Sequence, residues 1–221
     1  MGWRDVPSVP TSLTLHPAVL QRIRPGMRVL DVGCGEAGAG EEVRSAGADY
    51  VGLDLNLPSL KRAVARFSVA QGDCLALPFA DGAFDVVILR AVLTVLPEDA
   101  RRLACMAEAL RVSRGQSQGQ GRGIVAVQDF MMTPELPLYE ARYQRGAAMG
   151  LPSGAFPVEE GGRVLYVARH ATEAELRELV RGAGGEVLSF TVHPSPTRSG
   201  NIINGVTLLA HMEQDLARPG T

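Results

Sequence analysis

Apolar positions along this chain follow two patterns in turn. Short unbroken apolar runs end at glycine or polar turns, and between them lie stretches with apolar residues at helical spacing. Val29–Val32 ends at a glycine turn and reads as a buried strand. Glu41–Ala46 has helical spacing and stops at Gly47, and Tyr50–Leu53 gives a second strand. A helix is expected over about Pro58–Phe67, with the proline in the first turn, where its missing N–H is not needed. Ser68–Gln71 supplies a weak third strand. Phe84–Leu89 (FDVVIL) is the clearest strand of all, β-branched and without alternation. That pattern means burial on both faces, as in a parallel sheet covered by helices.

Pro97–Val112 places Leu103, Met106, Ala107 and Leu110 on one helical face. The Gly/Gln/Ser stretch Arg111–Gly123 reads as a mobile surface loop before a fifth strand, Ile124–Val127. Thr172-Glu173-Ala174-Glu175 is a capping box that opens a helix reaching about Gly182. Glu186–Val192 and Ile202–Ala210 close the chain as two strands with Pro and Gly but no helix between them, so one of the pair is expected antiparallel. The sum is an α/β fold built on a doubly wound, mostly parallel seven-stranded sheet.

Met131–Arg169 breaks the alternation, with a helix expected over Glu135–Ala148 and a Pro/Gly-rich loop after it. A segment leaving the carboxyl end of a strand lies over the crevice where open α/β sheets bind ligands. It is therefore read as an inserted lid after strand five, with a purely decorative excursion as the alternative. The expected organisation is one domain over residues 1–221. Its cofactor-binding half spans 24–130, a lid and acceptor-binding insertion spans 131–170, and a C-terminal helix and strand pair spans 171–212.

Composition narrows the classes. With 221 residues, 46% hydrophobic and 21% charged, the chain suits one globular domain. A formal net charge of -2 gives no general attraction to phosphate backbones, so nucleic acid is not an expected partner. The cysteines Cys34, Cys74 and Cys105 are odd in number and widely spaced, and the histidines do not cluster; neither a disulfide framework nor a metal site is expected. The opening MGWRDVPSVP lacks an apolar signal region, and no apolar run approaches the ~20 residues a membrane helix needs. The expectation is a cytoplasmic protein without a membrane partner; its oligomeric state is left open.

Chemistry enters at the turn after the first strand, Gly33-Cys34-Gly35-Glu36-Ala37-Gly38, which reads as Gly-x-Gly-x-x-Gly with Asp54 about 20 residues on. That spacing alone suits a dinucleotide. Asp31, two residues before Gly33, argues against it, because a carboxylate there repels a pyrophosphate and suits a ligand with an ammonium group and no phosphates. S-adenosylmethionine is such a ligand. Asp54 is placed to accept from ribose hydroxyls, and Asp73, in Gly72-Asp73-Cys74, to accept from an adenine amino group. Each also has a bland reading, as a helix cap or turn former. Acidic residues at three successive strand ends favour the methyl donor.

These segments resemble the class I S-adenosylmethionine-dependent methyltransferases, most closely the small-molecule branch that includes ubiquinone and menaquinone biosynthesis enzymes. The resemblance is carried by VLDVGCGEAG (Val29–Gly38), VGLDLN (Val51–Asn56), GDCLALPFADGAFDVVILRAVLTVL (Gly72–Leu96) and the closing strand pair. Ala37 stands where the family usually has its third glycine. The resemblance implies that Asp31 and the Gly33-Cys34-Gly35 turn hold the methionine portion. It further implies Asp54 on the ribose, Leu55 against the adenine, Asp73 and Cys74 at the adenine edge, and Arg90 beside the methionine end. The cofactor would be S-adenosyl-L-methionine, with S-adenosyl-L-homocysteine as product.

Methyl transfer from a sulfonium needs alignment and water exclusion, and a base only where the acceptor must lose a proton. Candidates for such a base are Asp129, after the fifth strand, together with His170 and Tyr143; capping and core packing are the competing readings. Tyr139 and Tyr143 share a helical face on the lid, and Arg142 beside them is a candidate carboxylate anchor, with Arg145. Arg198, with Ser199, and Asn201, in the turn between the last two strands, are further substrate-binding candidates. The leading expectation is an enzyme that methylates a small-molecule or natural-product acceptor. The alternatives are an RNA or protein/peptide methyltransferase, an NAD(P)-dependent oxidoreductase and a non-catalytic S-adenosylmethionine-binding protein.

Overall fold

A computed structural model describes residues 11–113 and 123–213. The opening MGWRDVPSVP and most of the Gly/Gln loop, residues 114–122, lie outside the described residues, as do the last eight positions. Strands β1 (Arg28–Val32), β2 (Asp49–Asp54), β3 (Ser68–Gln71), β4 (Val86–Arg90) and β5 (Ile124–Phe130) form the parallel part of a sheet. Helices α1 (Pro17–Leu20), α2 (Gly40–Ser45), α3 (Leu57–Ala63) and α4 (Asp99–Val112) intervene, with a 3-10 turn at Leu93–Val95. After α5 (Pro137–Ala148) comes a hairpin of β6 (Ala155–Glu160) and β7 (Arg163–Arg169), then α6 (Glu173–Gly182) and the closing strands β8 (Gly185–Pro196) and β9 (Ile202–Met212).

The sheet has seven strands in the order β3-β2-β1-β4-β5-β9-β8, and β9 is antiparallel to both of its neighbours. This is the Rossmann-like doubly wound sheet expected from the sequence, and the closing pair supplies its antiparallel strand. Strand order reverses between β1 and β4, so their carboxyl ends open the crevice characteristic of such sheets.

Alternate residues of the central strands feed two cores. Leu30, Val32, Val87, Leu89, Val125 and Val127 pack with Met106 and Leu110 of α4 and Leu176 and Val180 of α6. Val29, Val86, Ile88 and Ala126 face the other way, against Val19, Val43, Ala63 and Phe67. Thr172 accepts from the Glu175 amide while Glu175 accepts from the Thr172 amide, so the expected capping box opens α6.

One expectation is corrected. The stretch after α5, read as a Pro/Gly-rich loop, holds the antiparallel hairpin β6–β7 in a small sheet of its own. Its turn is Gly161-Gly162, at φ 57° and 77°, the left-handed pair that a two-residue hairpin turn demands and glycine supplies without strain. Gly146 lets α5 lie directly on β6: a Cβ there would overlap the Ala155 carbonyl oxygen and sit 2.9 Å from its carbon. Arg169, at the end of β7, ties the hairpin down. It donates to the carbonyls of Ser153 (3.0 Å) and Pro97 (2.9 Å) and pairs with Asp99 and with Glu175 (2.9 Å).

Candidate active site

A single cavity of about 910 Å³ spans the carboxyl ends of β1, β2 and β4 and runs out between α5 and the hairpin. Pockets for ligands of drug size run to roughly 300–1,000 Å³, so this one has room for two molecules side by side.

Its inner end is built by the strand ends. Gly33 and Gly35 turn the chain at φ 71° and 55°, and the Gly33 amide donates to the Leu53 carbonyl at 2.7 Å, which locks the turn to β2. A Cβ on Gly33 would sit 2.8 Å from Cγ2 of Val92, whereas one on Gly35 would meet nothing within 4 Å. Gly33, Cys34 and Gly35 all line the cavity. Asp54, at the end of β2, accepts from the Gly35 and Asn56 amides, each at 2.7 Å, one bond to each carboxylate oxygen. Each oxygen keeps a further lone pair for a hydroxyl. Leu55, Asp73 and Cys74 line the same end, and Asp73 accepts from the Leu75 amide at 3.0 Å. Ala37, where a glycine is usual in the family, sits at φ 60°, a conformation that glycine holds more easily.

Asp31 and Arg90 behave differently from a simple ligand pair. Arg90 lines the cavity, donates to the Leu13 carbonyl at 3.2 Å and stands 4.0 Å from Asp31. Asp31 is buried behind the wall, where Oδ2 accepts from the Tyr50 hydroxyl at 2.9 Å. Burial pushes the Asp31 carboxyl up, against the opposing pull of Arg90 and of the Tyr50 hydrogen bond. Its Oδ1 has no hydrogen-bond partner, and among the described residues only Thr94 Oγ1 shares that condition.

The outer end is aromatic. Phe130, Tyr139, Phe156 and Tyr166 line it together with His170. His170 lies 5.0 Å from the Phe156 ring and 5.5 Å from the Tyr139 ring, centroid to centroid. Burial among these rings pulls its imidazole down to about 3, helped by Arg142 and Arg102, so it is neutral at physiological pH. The Tyr143 hydroxyl lies 2.8 Å from His170 Nδ1 and accepts from the Thr133 amide at 3.2 Å. The direction of the Tyr143–His170 bond follows the imidazole tautomer, and the bond leaves Nε2 as the ring nitrogen not engaged by Tyr143.

Arg142 and Arg198 also line the cavity, while Tyr143, Asn201, Asp31 and Asp129 do not. Tyr143 acts through His170, and Asn201 braces its own turn by donating to Ser199 Oγ at 2.9 Å. Asp129, a candidate base, is spent on backbone. Its oxygens accept from the Phe130 amide at 2.8 Å and the Thr94 amide at 3.0 Å, so it caps the 3-10 turn after β4. Burial raises it to about 6. Arg145 turns outward and pairs with Glu159.

Sequence reasoning missed Phe130, Phe156 and Tyr166, and the signal for two of them was the Gly-Gly pair between apolar runs. It also missed residues 11–14, which line the cavity. Gln128 holds that segment down, donating to the Thr14 carbonyl at 2.9 Å and accepting from the His16 amide at 3.1 Å.

A switch-point crevice with a glycine turn and acidic strand ends defines a Rossmann-like protein for a nucleoside-bearing ligand. A methyltransferase-domain family model matches residues 30–117. The demethylmenaquinone methyltransferase of Parafrankia sp. is 32% identical over 190 residues, covering 73% of this chain and 71% of that protein. The botryococcene C-methyltransferase of Botryococcus braunii is 40% identical over 74 residues, but these cover only 20% of that protein. The crystal structure of a SAM-dependent methyltransferase from Methanosarcina mazei superposes with a TM-score of 0.83 at 25% identity, covering 92% of this chain and all of that one. The chain belongs to the class I S-adenosylmethionine-dependent methyltransferases, in the branch that acts on small molecules. It is an enzyme whose cofactor is S-adenosylmethionine, released as S-adenosylhomocysteine.

The residues fit that cofactor. The glycine turn carries no basic side chain for a pyrophosphate. The spare lone pairs of Asp54 suit two hydroxyls, and the buried Asp31 Oδ1 is left without a partner behind the turn. Among the described residues no helix is long and apolar enough to cross a membrane.

Proposed function

We propose that this enzyme methylates a ring-bearing small molecule whose ring lies against the aromatic outer wall while the donor occupies the strand-end pocket. The carrying observation is that Phe130, Tyr139, Phe156, Tyr166 and His170 line the same cavity as Gly33, Asp54 and Asp73. In this reading residues 24–130 hold the donor, 131–170 form a lid that binds the acceptor, and 171–212 complete the sheet. The adenine would lie along Leu55, Asp73 and Cys74, the ribose on Asp54, and the methionine portion at Gly33–Gly35 and Arg90. Asp31 would act from behind the turn through its charge.

The bound donor supplies an electrophilic methyl group for in-line displacement. This chain's residues align the acceptor and exclude water. His170, held at Nδ1 by Tyr143, keeps Nε2 for a polar atom of the acceptor and so fixes the ring. With its ionisation near 3 and Asp129 committed to backbone amides, the outer end offers no strong base. That favours acceptors already nucleophilic without deprotonation, such as an electron-rich carbon, and the C-methyltransferase among the similar proteins agrees with this. The three described cysteines are all free, in keeping with a cytoplasmic setting.

The test is thermal unfolding with S-adenosylhomocysteine, S-adenosylmethionine or NADH, followed by a mass screen for gain of one methyl over a panel of ring and open-chain acceptors. At 100 times Kd a ligand stabilises by about 2.7 kcal/mol, a rise of roughly 5–10 °C for a chain this size. The rise is expected with the two sulfur ligands alone and is lost in Asp54→Ala. Methylation confined to open-chain polar acceptors would refute the ring-binding assignment.

A further inference from the structure

The acceptor end of the cavity holds two guanidinium groups that no carboxylate neutralises. Arg142 and Arg198 both line it, and neither makes an ion pair or hydrogen bond among the described residues. The neighbouring cations are committed: Arg101 pairs with Glu98 at 3.8 Å, Arg90 stands 4.0 Å from Asp31, and Arg145 takes Glu159, which also lines the cavity. Arg142 is half-buried and lies over the lid rings, its Cζ 4.9 Å from the Tyr139 centroid and 5.6 Å from that of Phe156. A guanidinium held over aromatic rings without an ion pair keeps its N–H donors for an incoming acceptor, and its fork matches a carboxylate. Arg198 reaches the same place from the opposite side, out of a turn stapled by the Thr197 amide donating to the Asn201 carbonyl at 2.8 Å. The two cations meet at Tyr166: burial raises its hydroxyl, and both Arg198 and Arg142 pull it back. Arg142 is partly desolvated without a counter-charge, which costs stability in the free protein that an anionic ligand removes, whereas Arg198 is exposed at the rim and adds its charge from there.

We propose that Arg142 and Arg198 form an anion subsite at the outer end of the acceptor chamber, so that the methyl acceptor is a ring compound bearing a carboxylate. The proposal rests on the ring-binding reading above and narrows it. Arg142 takes the carboxylate through its guanidinium fork, Arg198 adds its charge from the far turn, and the ring lies between the aromatic wall and the donor pocket.

The experiment is titration calorimetry of 2-naphthoate and its neutral isostere 2-naphthamide into the full-length enzyme saturated with S-adenosylhomocysteine, at low and high salt. Naphthoate is expected to bind at least tenfold more tightly than naphthamide. The preference should shrink with salt, fall several-fold in Arg142→Gln and in Arg198→Gln, and vanish in the double variant. An unchanged S-adenosylhomocysteine-induced rise in Tm shows that the variants keep the donor site. Equal binding of the two compounds, or a preference that survives in the double variant, overturns the anion subsite and leaves the ring chamber standing. Failure of both compounds to bind overturns the two together.

Discussion

Gly146→Ala sets two opposed effects against each other within one methyl group. In a solvent-exposed helix the change would gain about 0.8–1.0 kcal/mol, because alanine has the higher helix propensity. Gly146 is instead buried where α5 meets β6, and the added Cβ would overlap the Ala155 carbonyl oxygen and lie 2.9 Å from its carbon. Backbone cannot swing aside as a flexible side chain can, so α5 must retreat by on the order of 1 Å. Overpacking of this kind costs about 1–3 kcal/mol. The retreat also pulls Tyr143 from His170, a 2.8 Å hydrogen bond whose loss adds about 1 kcal/mol. After the propensity gain, the net loss is about 1–3 kcal/mol, which lowers Tm by roughly 2–12 °C for a chain of this size. Differential scanning fluorimetry reads that shift. Tm rise on S-adenosylhomocysteine should persist, since the strand-end pocket is untouched, while methyl transfer to any accepted substrate drops. A variant as stable as the parent, or more so, would refute the claim that α5 rests on β6 through this glycine.

Two further outcomes follow from the geometry. His170 is depressed to about 3 in the folded protein against an ordinary value near 6.5, so the unfolded chain binds the extra proton between those limits. Its contribution to stability is complete above pH 6.5 and falls as pH drops toward 3, at up to about 1.4 kcal/mol per pH unit. Asp129, raised to about 6, slopes the other way, so the quantity to measure by urea unfolding is the difference between parent and His170→Asn across pH 4–7. A flat difference would show that His170 is not held neutral. Asn56→Ala removes the side chain that caps α3, which accepts from the Ser59 amide at 3.0 Å and the Ser59 hydroxyl at 2.9 Å. A loss of about 1–2 kcal/mol in chemical denaturation is expected, and a loss under 0.3 kcal/mol would remove the cap from the account.

The legible part of this fold was the part whose side chains answer to one local rule. FDVVIL is buried on both faces and could only be a central strand, and Thr172-x-x-Glu175 announces its helix through hydrogen bonds confined to four residues. The placement of the glycine turn and the strand-end acids was legible for a similar reason. Gly33, Gly35, Asp54 and Asp73 sit at strand termini, where sequence spacing translates directly into spatial order. The acceptor end is assembled from distant pieces. Phe130, Tyr139, Phe156 and His170 come from β5, α5, β6 and the link after β7, and no periodicity encodes their meeting. Asp129 shows the same limit from the other side. A carboxylate after a strand looks like a candidate base, and only the fold reveals that the Thr94 amide has claimed it.

The segment that carries the aromatic wall leaves the core and returns to it at one point. Met131 bridges Ala171 in parallel, and the Met132 amide donates to the Ala171 carbonyl at 3.0 Å, so the two ends of an excursion of about forty residues are hydrogen-bonded neighbours. A span anchored in that way can lengthen, shorten or be exchanged by recombination without altering the distance the rest of the chain must cover. Most of the residues assigned to the acceptor, Tyr139, Arg142, Phe156, Tyr166 and His170 among them, fall inside that cassette, while the strand-end acids fall outside it. On the proposed assignment, one crossover at each end would exchange acceptor preference as a unit, and drift in acceptor choice need never pass through a form that has lost its donor.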